Sequence, residues 1–125
     1  MMKPPTTPEH GATFELARIA GELRAEEPYL RDGHAARTLI RTPDLRIILI
    51  AIGAGKTISE HHTSVTASVQ TLSGHVRLHL PDRTVDVSQG QLLVLGAGLS
   101  HDVHAEVDSA FLLTLGWPEN KQSTA

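Results

Sequence analysis

The chain is expected to fold as an all-β sandwich or barrel preceded by one short helix. Two observations carry this expectation. Short runs rich in Val, Ile, Leu and Thr recur along most of the chain, separated by turn residues and with no helical pattern between them. The exception is a single stretch near the N-terminus, whose apolar residues follow a helical period.

That stretch runs from Phe14 to Glu27. Leu16, Ile19, Ala20 and Leu23 fall on one face, and Glu15, Arg18, Glu22 and Arg24 on the other. Thr13 is positioned to cap its start and Pro28 to stop it. Ahead of it, residues 1–13 are rich in Pro and Thr and are expected to be a disordered tail. Residues 14–125 then form one domain, since 125 residues suffice for a single core but not for two.

Eight runs read as strands: Ala36–Thr42, Arg46–Ile52, Ser64–Leu72, His75–Leu80, Thr84–Val87, Leu92–Leu95, His101–Val107 and Ala110–Leu115. Pro43-Asp44, Ser73-Gly74, Pro81-Asp82 and the Gly96-Ala97-Gly98 group are among the breakers between them. Ile47 to Ile52 is apolar at every position, so both of its faces require cover, one from the lumen and one from the helix or a second subunit. This unbroken surface is the reason to expect a homodimer, the commonest symmetric assembly.

Composition narrows the function. Aromatic residues are 3% of the chain against 40% hydrophobic overall, so the core is aliphatic and no base-stacking platform is available. A net charge of −3, with basic residues scattered, gives no footprint for a phosphate backbone. There is no cysteine, which excludes disulfides, thiolate metal sites and a cysteine nucleophile. The N-terminus lacks the apolar run of a signal peptide, and no apolar stretch approaches the roughly 20 residues of a membrane-spanning helix. A cytoplasmic protein with a small-molecule ligand, contacting neither nucleic acid nor membrane, is the expectation.

Two glycine-bounded motifs point to the site. Gly55 is followed by five residues and then His61, with Gly74 closing the segment after Leu72-Ser73. Gly90 is followed by five residues, then Gly96-Ala97-Gly98, Leu99, Ser100 and His101. In spacing, the stretch from Gly55 to Ala105 resembles the cupin superfamily. The resemblance implies a cupin-type double-stranded β-helix, or jelly-roll barrel, with His61 and His101 in its lumen. It also implies four metal ligands, three histidines and a glutamate. Here the second histidine position is Thr63 and the glutamate position is Ala67; a glycine, Gly96, replaces the usual proline, and Ala105 the terminal asparagine.

His61, Thr63 and His101 are therefore the candidate ligand-binding residues, and His61 with His101 the candidate metal ligands. A divalent transition metal (Zn, Ni, Fe or Mn) suits imidazole, but two imidazoles make a weaker site than three protein ligands. His62 is the alternative ligand. Alternation allows His61 and His62 to share the lumen only across a bulge, which would also turn Gln70 inward. The remaining histidines read as surface residues: His75 and His79 opposite Val76 and Leu78, His104 alternating away from His101, His34 in a loop after Gly33, and His10 in the tail.

No nucleophile–base pair is assignable, because Ser100 and His101 are adjacent and point to opposite faces. Gly53-Ala54-Gly55-Lys56-Thr57 lacks the first glycine of a phosphate loop, residue 50 being Ile50. Two functions remain. One is a barrel that binds a small organic ligand without turning it over. The other, implied by the resemblance, is a metal-dependent small-molecule oxygenase or isomerase.

Overall fold

The computed structural model describes residues 7–61 and 64–116, with the backbone alone at Glu60 and His61. Among these residues nine strands form two antiparallel sheets. The first sheet has the order β1 (His34–Thr42), β2 (Leu45–Ile52), β9 (Ser109–Gly116), β4 (Ala67–Ser73), β7 (Leu92–Leu95). The second runs β3 (Thr57–His61), β8 (His101–Ala105), β5 (His75–His79), β6 (Thr84–Ser88). Strands β2 to β9 divide four and four between the sheets in the jelly-roll pattern, and β1 extends one of them.

Alternation builds the core. Ile52, Val69, Leu95 and Phe111 of the first sheet meet Val76, Leu78, Val87, Val103 and Ala105 of the second in one buried cluster. Phe111 is the one aromatic among them, so branched aliphatic side chains fill the lumen. On the back of the first sheet, α1 (Leu16–Arg24) lays Ile19, Ala20 and Leu23 against Ala35, Leu49, Ala51 and Ala110. Leu49 and Ala51, on the outward face of β2, are thus covered within the chain. Arg37 of β1 adds a polar clamp, reaching Glu22 at 2.8 Å and Glu26 at 2.7 Å.

Several local expectations need correction. The helical stretch is two helices, α1 and α2 (Glu27–Asp32), because the chain breaks at Ala25 and Glu26. Pro28 does not stop a helix. It sits in the first turn of α2, where its missing N–H leaves nothing unpaired. Glu15, not Thr13, occupies the N-cap of α1. His34 does not lie in a loop: Gly33 ends α2 in a left-handed conformation at φ 85° and β1 begins at the next residue. Strand β3 was not among the expected runs, since Ile58 is its one apolar residue. Ahead of α1, Pro8–His10 form a single 3-10 turn.

The motif glycines have a shared physical role. Gly55, Gly74, Gly90 and Gly98 all adopt positive φ, between 78° and 86°. Gly74 is the most constrained, because a Cβ there would lie 2.5 Å from the Asp108 carbonyl oxygen and 2.9 Å from Ser109 Cα. Ser109 is itself fixed, accepting from the His75 amide at 3.0 Å and donating to the Val107 carbonyl at 2.7 Å. Gly74→Ala therefore pays both backbone strain and a steric clash, and it is expected to destabilise the fold by more than about 1 kcal/mol. Gly96→Ala, at a position with open space around it, is expected to cost less. Thermal unfolding of the two variants checks the ranking.

Candidate functional site

His101 opens β8, with Val103 and Ala105 following it on the lumen face. The imidazole is 3% exposed and lines a cavity whose other walls are Ile50, Ile58, Val69, Val103, Phe111 and Leu113. The cavity holds ≈ 40 Å³. That is room for a few water-sized molecules at roughly 10–15 Å³ each.

The turn before β8 prepares this ring. The Leu99 amide donates to the Gly96 carbonyl at 3.2 Å, with Gly98 at φ 82° between them. The turn presents the Leu99 carbonyl to His101 Nδ1 at 3.1 Å. A carbonyl oxygen only accepts, so Nδ1 carries the proton. In the neutral ring, Nε2 then keeps the lone pair, the form in which imidazole binds a metal or accepts from a ligand hydroxyl.

His61 meets His101 through the backbone. The β3–β8 ladder pairs Thr57 with His104 and Ile58 with Val103, then shifts register so that His61 is the partner of His101. An unshifted ladder would have brought Glu60 to that position. The inserted residue is a bulge that changes strand parity ahead of the motif histidine. His62 and Thr63 lie outside the described residues. On β4, Ala67, Val69 and Thr71 are buried and Gln70 is exposed, so no bulge in that strand turns Gln70 inward.

These positions bear on a metal. Ala67, 3% exposed, places a methyl group where the cupin pattern has its glutamate. Among the described residues, no three His, Asp or Glu side chains gather in a way that would hold an ion.

The outer face of the second sheet carries His75, His79 and His104. His79 Nδ1 lies 2.6 Å from Asp102 Oδ1, and His104 Nδ1 lies 2.8 Å from Thr57 Oγ1. His75 contacts Ser88 Oγ at 3.0 Å and Asp86 at 3.2 Å. Arg77 bridges Asp86 at 2.7 Å and Glu106 at 2.6 Å. These residues form a solvated polar lattice facing away from the cavity.

Comparison with known proteins fits the geometry. No family model matches the chain, and no curated protein matches it by sequence. Solved structures do. A Streptococcus pyogenes protein of unknown function is 29% identical, with a TM-score of 0.72 over 94% of this chain and 97% of its own. A cupin superfamily protein from Desulfitobacterium hafniense is 16% identical, with a TM-score of 0.71 over 93% of this chain and 99% of its own. The salicylate 1,2-dioxygenase of Pseudoaminobacter salicylatoxidans is 16% identical, with a TM-score of 0.79 over 98% of this chain. This chain spans 39% of that enzyme's length. Fold and motif spacing together define a jelly-roll barrel with a histidine in its lumen. The chain has the fold of a small cupin domain. No helix among the described residues is long and apolar enough to cross a membrane.

The polar lattice gives a pH prediction. The Arg77 guanidinium, and after it His75, hold the Asp86 carboxyl below its ordinary value. A depressed carboxylate contributes stability above its unfolded pKa of about 3.9 and loses that contribution as pH falls through the folded value. Arg77→Leu is expected to move the Asp86 titration up toward the ordinary range, as read from its carboxyl carbon shift. Unchanged titration would remove Arg77 as the main cause.

Proposed function

We propose that this cupin binds one small, largely apolar organic ligand in its lumen, held by His101, without a resident catalytic metal. The observation that carries the reading is a buried imidazole, anchored at Nδ1, in a cavity whose other described walls are apolar. Such a site is a greasy pocket with one polar group to fix orientation. The cavity size limits the group that reaches His101 to a hydroxyl or a short branched chain. His61 and Thr63 complete the polar end of the pocket in this reading. His61 and His101 are the residues that would hold a divalent metal (Zn, Ni, Fe or Mn), with the ligand or water supplying the remaining donors.

The second reading, a metal-dependent oxygenase or isomerase, is favoured by the likeness to the salicylate dioxygenase over nearly the whole chain. One fold hosts many chemistries, so the site must decide.

Protein purified without chelator or nickel resin is expected to carry much less than one metal ion per chain by elemental analysis. Small phenols and short alcohols, which can donate to Nε2, serve as thermal-shift probes. His101→Leu is expected to weaken the best probe at least tenfold, about 1.4 kcal/mol, the scale of one lost polar contact in a buried site. His104→Leu, on the outer face, is expected to leave it unchanged. Stoichiometric metal that disappears in His61→Ala and His101→Ala but survives in His62→Ala would instead establish the metal-dependent reading.

A further inference from the structure

The outer face of the second sheet lines up a hydroxyl, an imidazole and a carboxylate. Ser88 and His75 lie 13 residues apart in the chain and meet as register partners of β6 and β5. Ser88 Oγ is 3.0 Å from His75 Nδ1, and His75 Nε2 is 3.2 Å from Asp86 Oδ1. A carboxylate only accepts, so Nε2 carries the proton of the neutral ring and Nδ1 accepts from the serine hydroxyl. Gln91 adds a fourth group. Its Oε1 accepts from the Ser88 amide at 2.8 Å, and its own amide donates to the Ser88 carbonyl at 2.9 Å. These two bonds hold a carboxamide, with its NH2 donors, beside the serine. The scaffold beneath is fixed. Buried Ser109 accepts from the His75 amide at 3.0 Å, and the Gln89 amide closes the hairpin on the Gly74 carbonyl at 3.2 Å.

We propose that Ser88, His75 and Asp86 act as nucleophile, general base and orienting carboxylate, hydrolysing short acyl esters from solution. Such a constellation is defined by geometry and roles, not by chain order. His75 Nδ1 takes the Ser88 proton as Oγ adds to the ester carbonyl carbon, whose π electrons move onto oxygen. The Gln91 NH2 group is the donor to that oxyanion. Collapse breaks the bond to the leaving oxygen, which takes the proton from His75 and departs as the alcohol. Water then repeats the cycle on the acyl-serine, releasing the acid and restoring Ser88. Asp86 stays ionised at neutral pH, because the Arg77 guanidinium at 2.7 Å, and after it His75, hold its carboxyl below its ordinary value. The His75 side chain is 32% exposed and that of Asp86 52%, so the substrate reaches the site directly from water. A serine–histidine pair of this kind leaves no local sequence signal, since strand register brings it together.

A fluorophosphonate and p-nitrophenyl acetate test this on the full chain. The fluorophosphonate is expected to lose fluoride and label Ser88 in the wild type, as located by peptide mass mapping. His75→Gln, with its fold checked by circular dichroism, is expected to lose that label. Ser88→Ala and His75→Gln are each expected to slow p-nitrophenyl acetate hydrolysis at least about tenfold, less than the roughly hundredfold of a base in a closed site. His79→Gln, on the same face but outside the constellation, is expected to keep the wild-type rate. A wild type in which Ser88 takes no label would overturn the proposal. So would Ser88→Ala protein that hydrolyses the ester at the wild-type rate, since the imidazoles alone would then account for it.

Discussion

Side-chain alternation across the strands is the constraint on which the rest of the molecule depends. With few aromatic residues available, the lumen must be filled by Val, Ile and Leu at every second position of both sheets. A strand that slipped by one residue would exchange its lumen set for its solvent set. Strand β5 shows the cost of such a slip: Val76 and Leu78 are fully buried, while His75, Arg77 and His79 belong to the ionic lattice. The bulge in β3 is the place where parity is deliberately reset, and it falls between Ile58 and the residue that pairs with His101. Position in the ladder, rather than abundance of histidine, decides which imidazoles belong to the site.

The same constraint separates two layers of function within the motifs. Their glycines preserve the left-handed turns that hold strands β4, β5, β7 and β8 in place, whatever the lumen contains. Their ligand positions are free to change once the turns are secure, and here Ala67 contributes a methyl group to the wall near Val65 and Leu115. His101 keeps both its burial and its backbone anchor. One anchored polar group in an apolar cavity orients a ligand, which is the basis of the proposed binding function.

Much of the fold was legible in the residues. The β-rich runs and their breakers mark eight of the nine strands among the described residues, and the glycine spacing points to the barrel. Strand β3 was missed because a polar strand at a sheet edge buries only Ile58 and leaves no alternating pattern to read. The helix boundary was misread at Pro28, since proline marks the beginning of a helix as readily as its end. Burial of His101 and exposure of Gln70 and His79 follow from strand parity. The β3 bulge does not, because an inserted residue changes the pairing without any distinctive residue type. The Leu99 carbonyl was equally invisible, being a main-chain group delivered by a turn.

The central claim is that His101 is a lumen imidazole whose Nδ1 proton is committed to the Leu99 carbonyl and whose ring orients the ligand in the cavity. Nitrogen-15 NMR of the imidazole, recorded above the pH at which the ring is protonated, reads this directly. The account predicts the Nδ1–H tautomer for His101 and a shift centred on its Nε2 when a small phenol, which can donate to it, is added. An Nε2–H tautomer, or a probe that binds without moving either His101 nitrogen, would contradict it.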